Sequence, residues 1–293
     1  MTNLIGTTSI LNKQQGRLPN LIIIGGMKCG TTSLHYYLNC HPQISMSREK
    51  ELNFFIEERN WHKGIEWYKS QFRGNAKIYG ETSPNYTIYP HYQGISQRMY
   101  ETIPNTKLIY IIRDPIERII SEYVHKYSDG REDRTITEAL ADIEDNFYVS
   151  RSQYYRQLKQ YLLYFAKSNI LVLTTEELFN FPQITLQKIC RFLGVTDNVD
   201  MIKYNKKLHL SIHKSKKNNI GKYISKLPVI NQINRLPSNI RFHINRIIYF
   251  PFSSPVEKPV LNQELRIRLN NYLKDDIKCL REYTGRDFEE WSL

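Results

Sequence analysis

The chain has 293 residues, 41 Lys and Arg against 29 Asp and Glu for a net charge of +12, and 41% hydrophobic content, enough to bury one substantial core. Its longest apolar runs, near Leu21–Ile24 and Ile247–Phe252, are far shorter than the ~20 residues of a bilayer span, and residues 1–18 hold no signal-peptide core. Four cysteines, Cys29, Cys40, Cys190 and Cys279, show neither paired nor metal-ligand spacing, which argues against a disulfide scaffold or a zinc cluster and leaves reduced thiols.

Residues 1–18 read as a flexible lead and 19–293 as one domain. Leu21–Ile24 is a short buried strand by pattern, and a helical pattern opens at Ser33–Leu38. Between them lie Gly25, Gly26 and Gly30, whose backbone N–H groups can approach an anion closely beside the partial positive charge of a helix N-terminus. The nucleoside-triphosphate form of such a loop, G-x-x-x-x-G-K-[ST], places lysine directly after its second glycine. Here that position is Thr31, and the loop's one cation, Lys28, stands two residues before Gly30. The displacement argues against an ordinary ATPase or GTPase. Structural turns also collect glycine, so the loop needs independent support. Cys29, within it, is expected to be open to alkylation.

That support lies in Lys107–Tyr127, where a β-prone run, Leu108–Ile112, feeds a helix with Asp114 as N-cap and Pro115 at its first position. Ile116, Ile119, Ile120, Tyr123 and Val124 fall at the spacing of a buried helical face, while Arg113 and Ser121 flank the start of that helix. Read without context, Arg113 is a surface partner for Asp114 or Glu117. Farther on, Arg151–Phe165 and Ile184–Leu193 read as helices and Ile170–Leu173 as another strand. Leu265, Leu269, Leu273, Ile277 and Leu280 form the core stripe of a helix over Leu261–Leu280. Strands alternating with helices imply an α/β fold, a P-loop-like central, mostly parallel sheet with helices on both faces. Tyr283–Trp291 reads as a fold-closing element.

The charge is unevenly spread: from Met201 to Val256 there are eleven Lys or Arg and no Asp or Glu. A run like this is a solvated face, a nucleic-acid surface, or an attractor for an anionic acceptor. Prolines and asparagines from Pro228 to Pro259 mark 201–259 as a basic, irregular insertion, a candidate lid over an acceptor cleft.

Lys28–Thr32, KCGTT, together with Arg113 and Ser121 eight residues apart, resembles the sulfotransferases that use 3′-phosphoadenosine 5′-phosphosulfate (PAPS). The resemblance is to bacterial-type members and runs from about Leu21 to Trp291. It implies that Lys28, Cys29, Gly30, Thr31, Thr32 and Ser33 hold the 5′-phosphosulfate, and that Arg113 and Ser121 grip the 3′-phosphate. His213–Asn218, HKSKKN, is similar to the family's S-K-G-R loop, which closes over the 3′-phosphate. Ser215 and Lys216 match, and Lys217 and Asn218 stand where glycine and arginine would be. His41–Phe55 and Trp61–Tyr68 resemble the heparan sulfate N- and 3-O-sulfotransferase branch, in which a glutamate before an aromatic pair is the proposed general base. Glu51 occupies that place ahead of Phe54 and Phe55, and a carboxylate beside apolar rings would have its pKa raised towards neutrality. His125, four residues after Ser121 on the same helix face, is an assisting base or an acceptor-orienting group. Glu81–Tyr86 departs from the branch's E-K-[ST]-x-x-Y segment: Thr82 replaces the lysine, which leaves acceptor identity and charge open.

The resemblance thus implies in-line sulfuryl transfer from PAPS to a hydroxyl or amine, with a carbohydrate or glycan as acceptor and adenosine 3′,5′-bisphosphate (PAP) as product. No metal, nucleic acid or membrane span belongs to the scheme, and the expected location is the cytoplasm. Two rivals stand beside it. A nucleotide kinase would need Mg²⁺ and ATP, with Asp114 near the metal, and a non-catalytic nucleic-acid binder would rely on the 201–256 cations.

Overall fold

The computed structural model describes residues 16–197, 215–224 and 248–292, with isolated positions 227, 230, 233 and 244. Five strands, β1 Leu21–Gly25, β2 Ile44–Met46, β3 Ile78–Thr82, β4 Lys107–Ile112 and β5 Ile170–Thr174, form a parallel sheet in the order β2-β3-β1-β4-β5. Leu21 sits opposite Gly80 on one side and Lys107 on the other, so β1 is central. The chain leaves β1 for β3 and β2 on one flank and later builds β4 and β5 on the other. The crevice beyond the C-terminal ends of β1 and β4 is therefore a topological switch point, where open α/β sheets bind ligands.

Helices between and after these strands are α1 Thr31–Asn39, α2 Gly64–Ser70, α3 Ile95–Thr102, α4 Pro115–Ser128, α5 Ile136–Ala139, α6 Phe147–Ser150, α7 Tyr154–Leu162, α8 Thr175–Asn180 and α9 Pro182–Leu193. After them come α10 Asn219–Ile224 and the long α11 Gln263–Thr284. Alternate strand residues face opposite layers, as a two-residue period requires. Ile22, Ile24, Leu108, Tyr110 and Ile112 pack with Met99, Leu158, Ile277 and Leu280 of α3, α7 and α11. Leu21, Ile23, Ile109 and Ile111 pack instead with Leu34 and Leu38 of α1 and Leu186 and Ile189 of α9. Both sheet faces are thus covered, which is why the strands read as unbroken apolar runs. The predicted apolar face of α4 is buried against Leu265, Leu269 and Leu273 of α11.

Three elements differ from the sequence reading. The helix expected over Arg151–Phe165 is shorter, α7 Tyr154–Leu162, because Arg151 and Ser152 lie in the turn between α6 and α7 and serve α4. Arg151 pairs with Glu122 at 2.7 Å, and Ser152 Oγ accepts from Arg118 Nε at 2.5 Å while donating to the Pro115 carbonyl. Strands β2 and β3 were not legible: β2 has three residues, and β3 reads IYGET, with buried Glu81 and Thr82 interrupting the apolar pattern. The basic 201–259 segment contains an antiparallel ribbon, β6 Ser215–Lys217 against β7 Ser253–Pro255, at its described ends. Most of that segment, including much of the Pro228–Pro259 stretch read as a lid, and the lead up to residue 15 lie outside the described residues. Among the described residues no helix is long and apolar enough to cross a membrane. Phe288 and Trp291 stack at 4.3 Å in the core, and Ser292 N–H donates to Asp114, so this last segment closes on the head of α4.

Candidate active site

The turn after β1 is shaped by its glycines. A Cβ on Gly25 would lie 2.2 Å from Thr87 Oγ1, and Gly30, at φ +81°, has the Phe179 ring 3.3 Å from where a Cβ would sit. Gly30 is the N-cap of α1, which has no side-chain cap and no acidic residue in its first turn. The helix start therefore offers its N–H groups and dipole to an anion. Thr175 Oγ1 staples the loop to β4, reaching the carbonyls of Cys29 at 2.9 Å and Ile112 at 3.0 Å. Lys28 adopts φ +69°, an unfavourable left-handed backbone for a side-chain-bearing residue. Burial lowers its ammonium pKa, opposed by Glu122 and Asp129 and reinforced by Arg113, which shows that the loop lysine shares its field with α4 and the end of β4. Cys29 departs from expectation: it is fully buried, and burial pushes its thiol up to about 11, so it is not an alkylation target in the folded chain.

The second turn follows β4. Asp114 caps α4 by accepting from Glu117 N–H at 2.9 Å, and Pro115 takes the first helical position. Arg113 is ordered by Tyr154, whose hydroxyl donates to the Arg113 carbonyl at 2.7 Å. Its guanidinium pairs with Glu117 at 3.2 Å, as the context-free reading had it. Yet the pair is not a bare surface contact. Arg113, Glu117 and Ser121 line a cavity of about 360 Å³ closed on its far side by Val256 and Lys258 of the chain leaving β7, and Lys258 Nζ lies 2.8 and 2.7 Å from the two Glu117 oxygens. The ribbon carries Ser215 and Lys216 over the last turn of α4 instead. Lys216 pairs with Asp133 at 3.1 Å and stands 3.5 Å over the Tyr127 ring.

Beneath both turns sits a buried ion group that sequence reasoning missed. Glu122, next to Ser121, accepts from Arg118 at 2.6 Å and from Arg151 at 2.7 Å. Burial opposes its charge, but Arg151 and Arg118 outweigh that and hold it down to about 2. Arg151 also reaches Asn85 Oδ1 at 2.6 Å, Asn85 donates to Asn53 at 3.3 Å, and Asn53 Nδ2 donates to the Glu51 carbonyl at 2.7 Å. One polar chain thus runs from α4 to the backbone of Glu51.

Glu51 itself has φ +65°, with its N–H donating to the Thr82 carbonyl at 2.8 Å, and Asn53 has φ +49°. Among the described residues four non-glycines have positive φ, and Lys28, Glu51 and Asn53 are three of them. Such strain collects at functional sites. The aromatic environment expected for the Glu51 carboxylate is not there. Phe54 and Phe55 turn into the core against Trp61 and Tyr68, whereas the Glu51 side chain is 38% exposed and paired with Lys50 at 2.9 Å. The carboxyl enclosed by rings is Glu81, fully buried beside Tyr68 and Tyr86 and pushed up by burial to about 8, with neither oxygen in a hydrogen bond of normal geometry. Thr82, where the branch's lysine would stand, is buried and lies 2.9 Å from His35 Nδ1. Burial, then Lys50, lowers His35 to about 4, so it is neutral near pH 7. His125 Nδ1 lies 3.3 Å from Asp129 at the end of α4.

A family model for the sulfotransferase domain matches residues 18–236. The human heparan sulfate glucosamine 3-O-sulfotransferase 5 is 31% identical over 196 residues, covering 62% of this chain and 55% of that protein. The membrane-associated sulfotransferase kil1 of Dictyostelium discoideum is 43% identical over 111 residues, covering 36% of this chain and 22% of its own length. The chain thus spans little more than half of one relative and about a fifth of the other. The crystal structure of a sulfotransferase from Alicyclobacillus acidocaldarius superposes with a TM-score of 0.68 at 24% identity, covering 94% of this chain and all of that one. With that fold, and with a domain match across most of its length, the chain belongs to the sulfotransferase family.

Proposed function

We propose that the chain moves a sulfuryl group from PAPS to a hydroxyl or amine of a carbohydrate acceptor and releases PAP. The observation that carries this reading is the pairing of two cationic strand-to-helix turns at the switch point, Lys28 after β1 and Arg113 after β4, on adjacent parallel strands. A nucleotide with phosphate at both its 5′ and 3′ ends needs two separated anion sites. The cavity at Arg113 and Ser121 and the glycine cradle at Lys28 fit those two ends. A mouse sulfotransferase of similar fold, TM-score 0.50, was solved with PAP.

In this reading the acceptor oxygen or nitrogen attacks sulfur, and the bond from sulfur to the 5′-phosphate oxygen breaks with its electron pair leaving on PAP. Lys28 and the N–H and hydroxyl groups of Gly30, Thr31, Thr32 and Ser33 neutralise that leaving phosphate, the main electrostatic contribution in group transfers of this kind. Arg113 and Ser121 fix the 3′-phosphate, and Ser215 and Lys216 join them only when the ribbon releases Lys216 from Asp133 and Tyr127. Glu51, on the exposed rim, receives the acceptor's proton, and His125 orients the acceptor. The human relative's name as a heparan sulfate glucosamine 3-O-sulfotransferase favours a glycan acceptor. The test is transfer of ³⁵S from labelled PAPS to a panel of desulfated glycosaminoglycans, neutral oligosaccharides and phenols. Label on a glycan, cut at least about a hundredfold by Lys28→Ala, is expected. Label on phenols alone would overturn the carbohydrate acceptor.

A further inference from the structure

The cavity at the head of α4 holds an arrangement that the nucleotide motifs do not include. Glu117 is an anion lying in a pocket that is otherwise built for an anion. Its two carboxylate oxygens are bracketed by Arg113 at 3.2 Å and by Lys258 at 2.7 and 2.8 Å, and Lys258 comes from the far end of the chain, 141 residues away. Lys258 is brought there by the backbone and not by chance of rotamer alone. It follows the β7 strand, which is paired in register with Ser215–Lys217, and Val256 packs against the buried face of α4. Ser121 lines the same cavity one helical turn past Glu117.

We infer that Lys258 is a further ligand of the nucleotide's 3′-phosphate and that Glu117 is a built-in occupant of the same cations, displaced when the phosphate arrives. The chemistry supports both halves. Arg113 and Lys258 together carry two positive charges, and a phosphate near neutral pH carries close to two negative ones. With Glu117 in place only one charge is left uncompensated, so a dianion would meet a like charge at contact distance. Glu117 is free to yield because its side chain is 30% exposed on the first turn of α4 and can turn to solvent without leaving a buried charge unpaired. Lys258, 60% exposed, gives little to stability as an ion pair, so its bracketing of the carboxylate points to ligand binding and not to fold maintenance. In bound form the phosphate replaces the carboxylate and ties the β6–β7 ribbon to α4.

This inference rests on the donor-site reading above, and the experiment separates the two. PAP and adenosine 5′-monophosphate, which differ by the 3′-phosphate alone, are titrated calorimetrically into wild type, Lys258→Gln, Lys258→Arg and Glu117→Gln at one fixed ionic strength, after thermal melts show each variant folded. Wild type should prefer PAP. Lys258→Gln should lose about tenfold of that preference with 5′-monophosphate binding unchanged, the loss of one charge-assisted contact, and Lys258→Arg should recover it. Glu117→Gln should strengthen PAP binding by about threefold. No preference for PAP in wild type would defeat the donor-site reading itself. A preserved preference in Lys258→Gln would overturn Lys258 as a ligand, and weaker PAP binding in Glu117→Gln would overturn its role as a displaceable occupant.

Discussion

Replacing Glu81 by glutamine should stabilise the protein, and by an amount that grows with pH. The carboxyl is fully buried on β3, its pKa raised from 4.5 to about 8, with Tyr68 and Tyr86 beside it and no well-formed hydrogen bond to either oxygen. The folded state therefore keeps the proton that the unfolded chain releases near pH 4.5. Because the folded pKa is the higher one, the stability linked to this group is complete below about 4.5 and is lost as pH climbs towards about 8. At about 1.4 kcal/mol per pH unit, the loss reaches about 1 kcal/mol at pH 5.5 and about 4 kcal/mol at pH 7.5. Glutamine has the same shape, carries no proton to lose and escapes this cost. Urea unfolding of wild type and Glu81→Gln at both pH values cancels every other titrating group in the difference. The stability gap should favour the variant and widen by about 2–3 kcal/mol between pH 5.5 and 7.5. An unchanged gap would mean that Glu81 carries the same charge in the folded and unfolded chain, and either that or a variant destabilised at both pH values would refute the reasoning.

Lys28→Ala should lower sulfuryl-transfer turnover by about 10²–10³-fold, the usual effect of removing one transition-state charge stabiliser, and single-turnover rates with PAPS check it. Normal turnover would dismiss the loop assignment. Glu122→Gln should destabilise the fold by about 3–5 kcal/mol, because Arg118 and Arg151 are left as buried cations without their counter-charge; denaturant midpoints measure it, and a change below about 1 kcal/mol would show that water reaches the group. Cys29 should resist N-ethylmaleimide in the native chain: a thiol raised from 9.0 to about 11 has about a hundredfold less thiolate before burial adds its own obstruction. Peptide mapping by mass spectrometry should find it labelled only in denaturant.

The parts that could be read from sequence are those where local chemistry alone decides the outcome. Leu21–Gly25 and Leu108–Ile112 carry no charged residue because helices cover both faces, and Asp114 with Pro115 announces α4 wherever the rest of the chain goes. Lys28, Arg113 and Ser121 were singled out by resemblance to the family's motifs, and the structure puts Lys28 in the turn before α1 and Arg113 and Ser121 on one cavity. What escaped was long-range. Three residues of β2 carry too little pattern, and β3 hides a buried Glu81 and Thr82 whose burial depends on Tyr68, Tyr86 and His35 from other elements. The Asn53, Asn85, Arg151 and Glu122 relay reaches from residue 53 to residue 151, and nothing local marks its members. Lys258 looks like any exposed lysine until β7 sets it against Glu117. Glu51 shows the opposite fault: neighbouring phenylalanines in sequence suggested neighbouring rings in space, but the left-handed turn at Glu51 and Asn53 sends rings and carboxylate apart.

The most direct test of the central claim is calorimetric titration of the full chain with PAP, and with ADP plus Mg²⁺ as the comparison, at moderate salt. Lys28 and Arg113 acting as two phosphate sites on adjacent strands require PAP to bind at micromolar concentration or tighter with little response to Mg-ADP. Preference for Mg-ADP, or no heat from either, would contradict the sulfotransferase mechanism and favour the kinase or the nucleic-acid reading in its place.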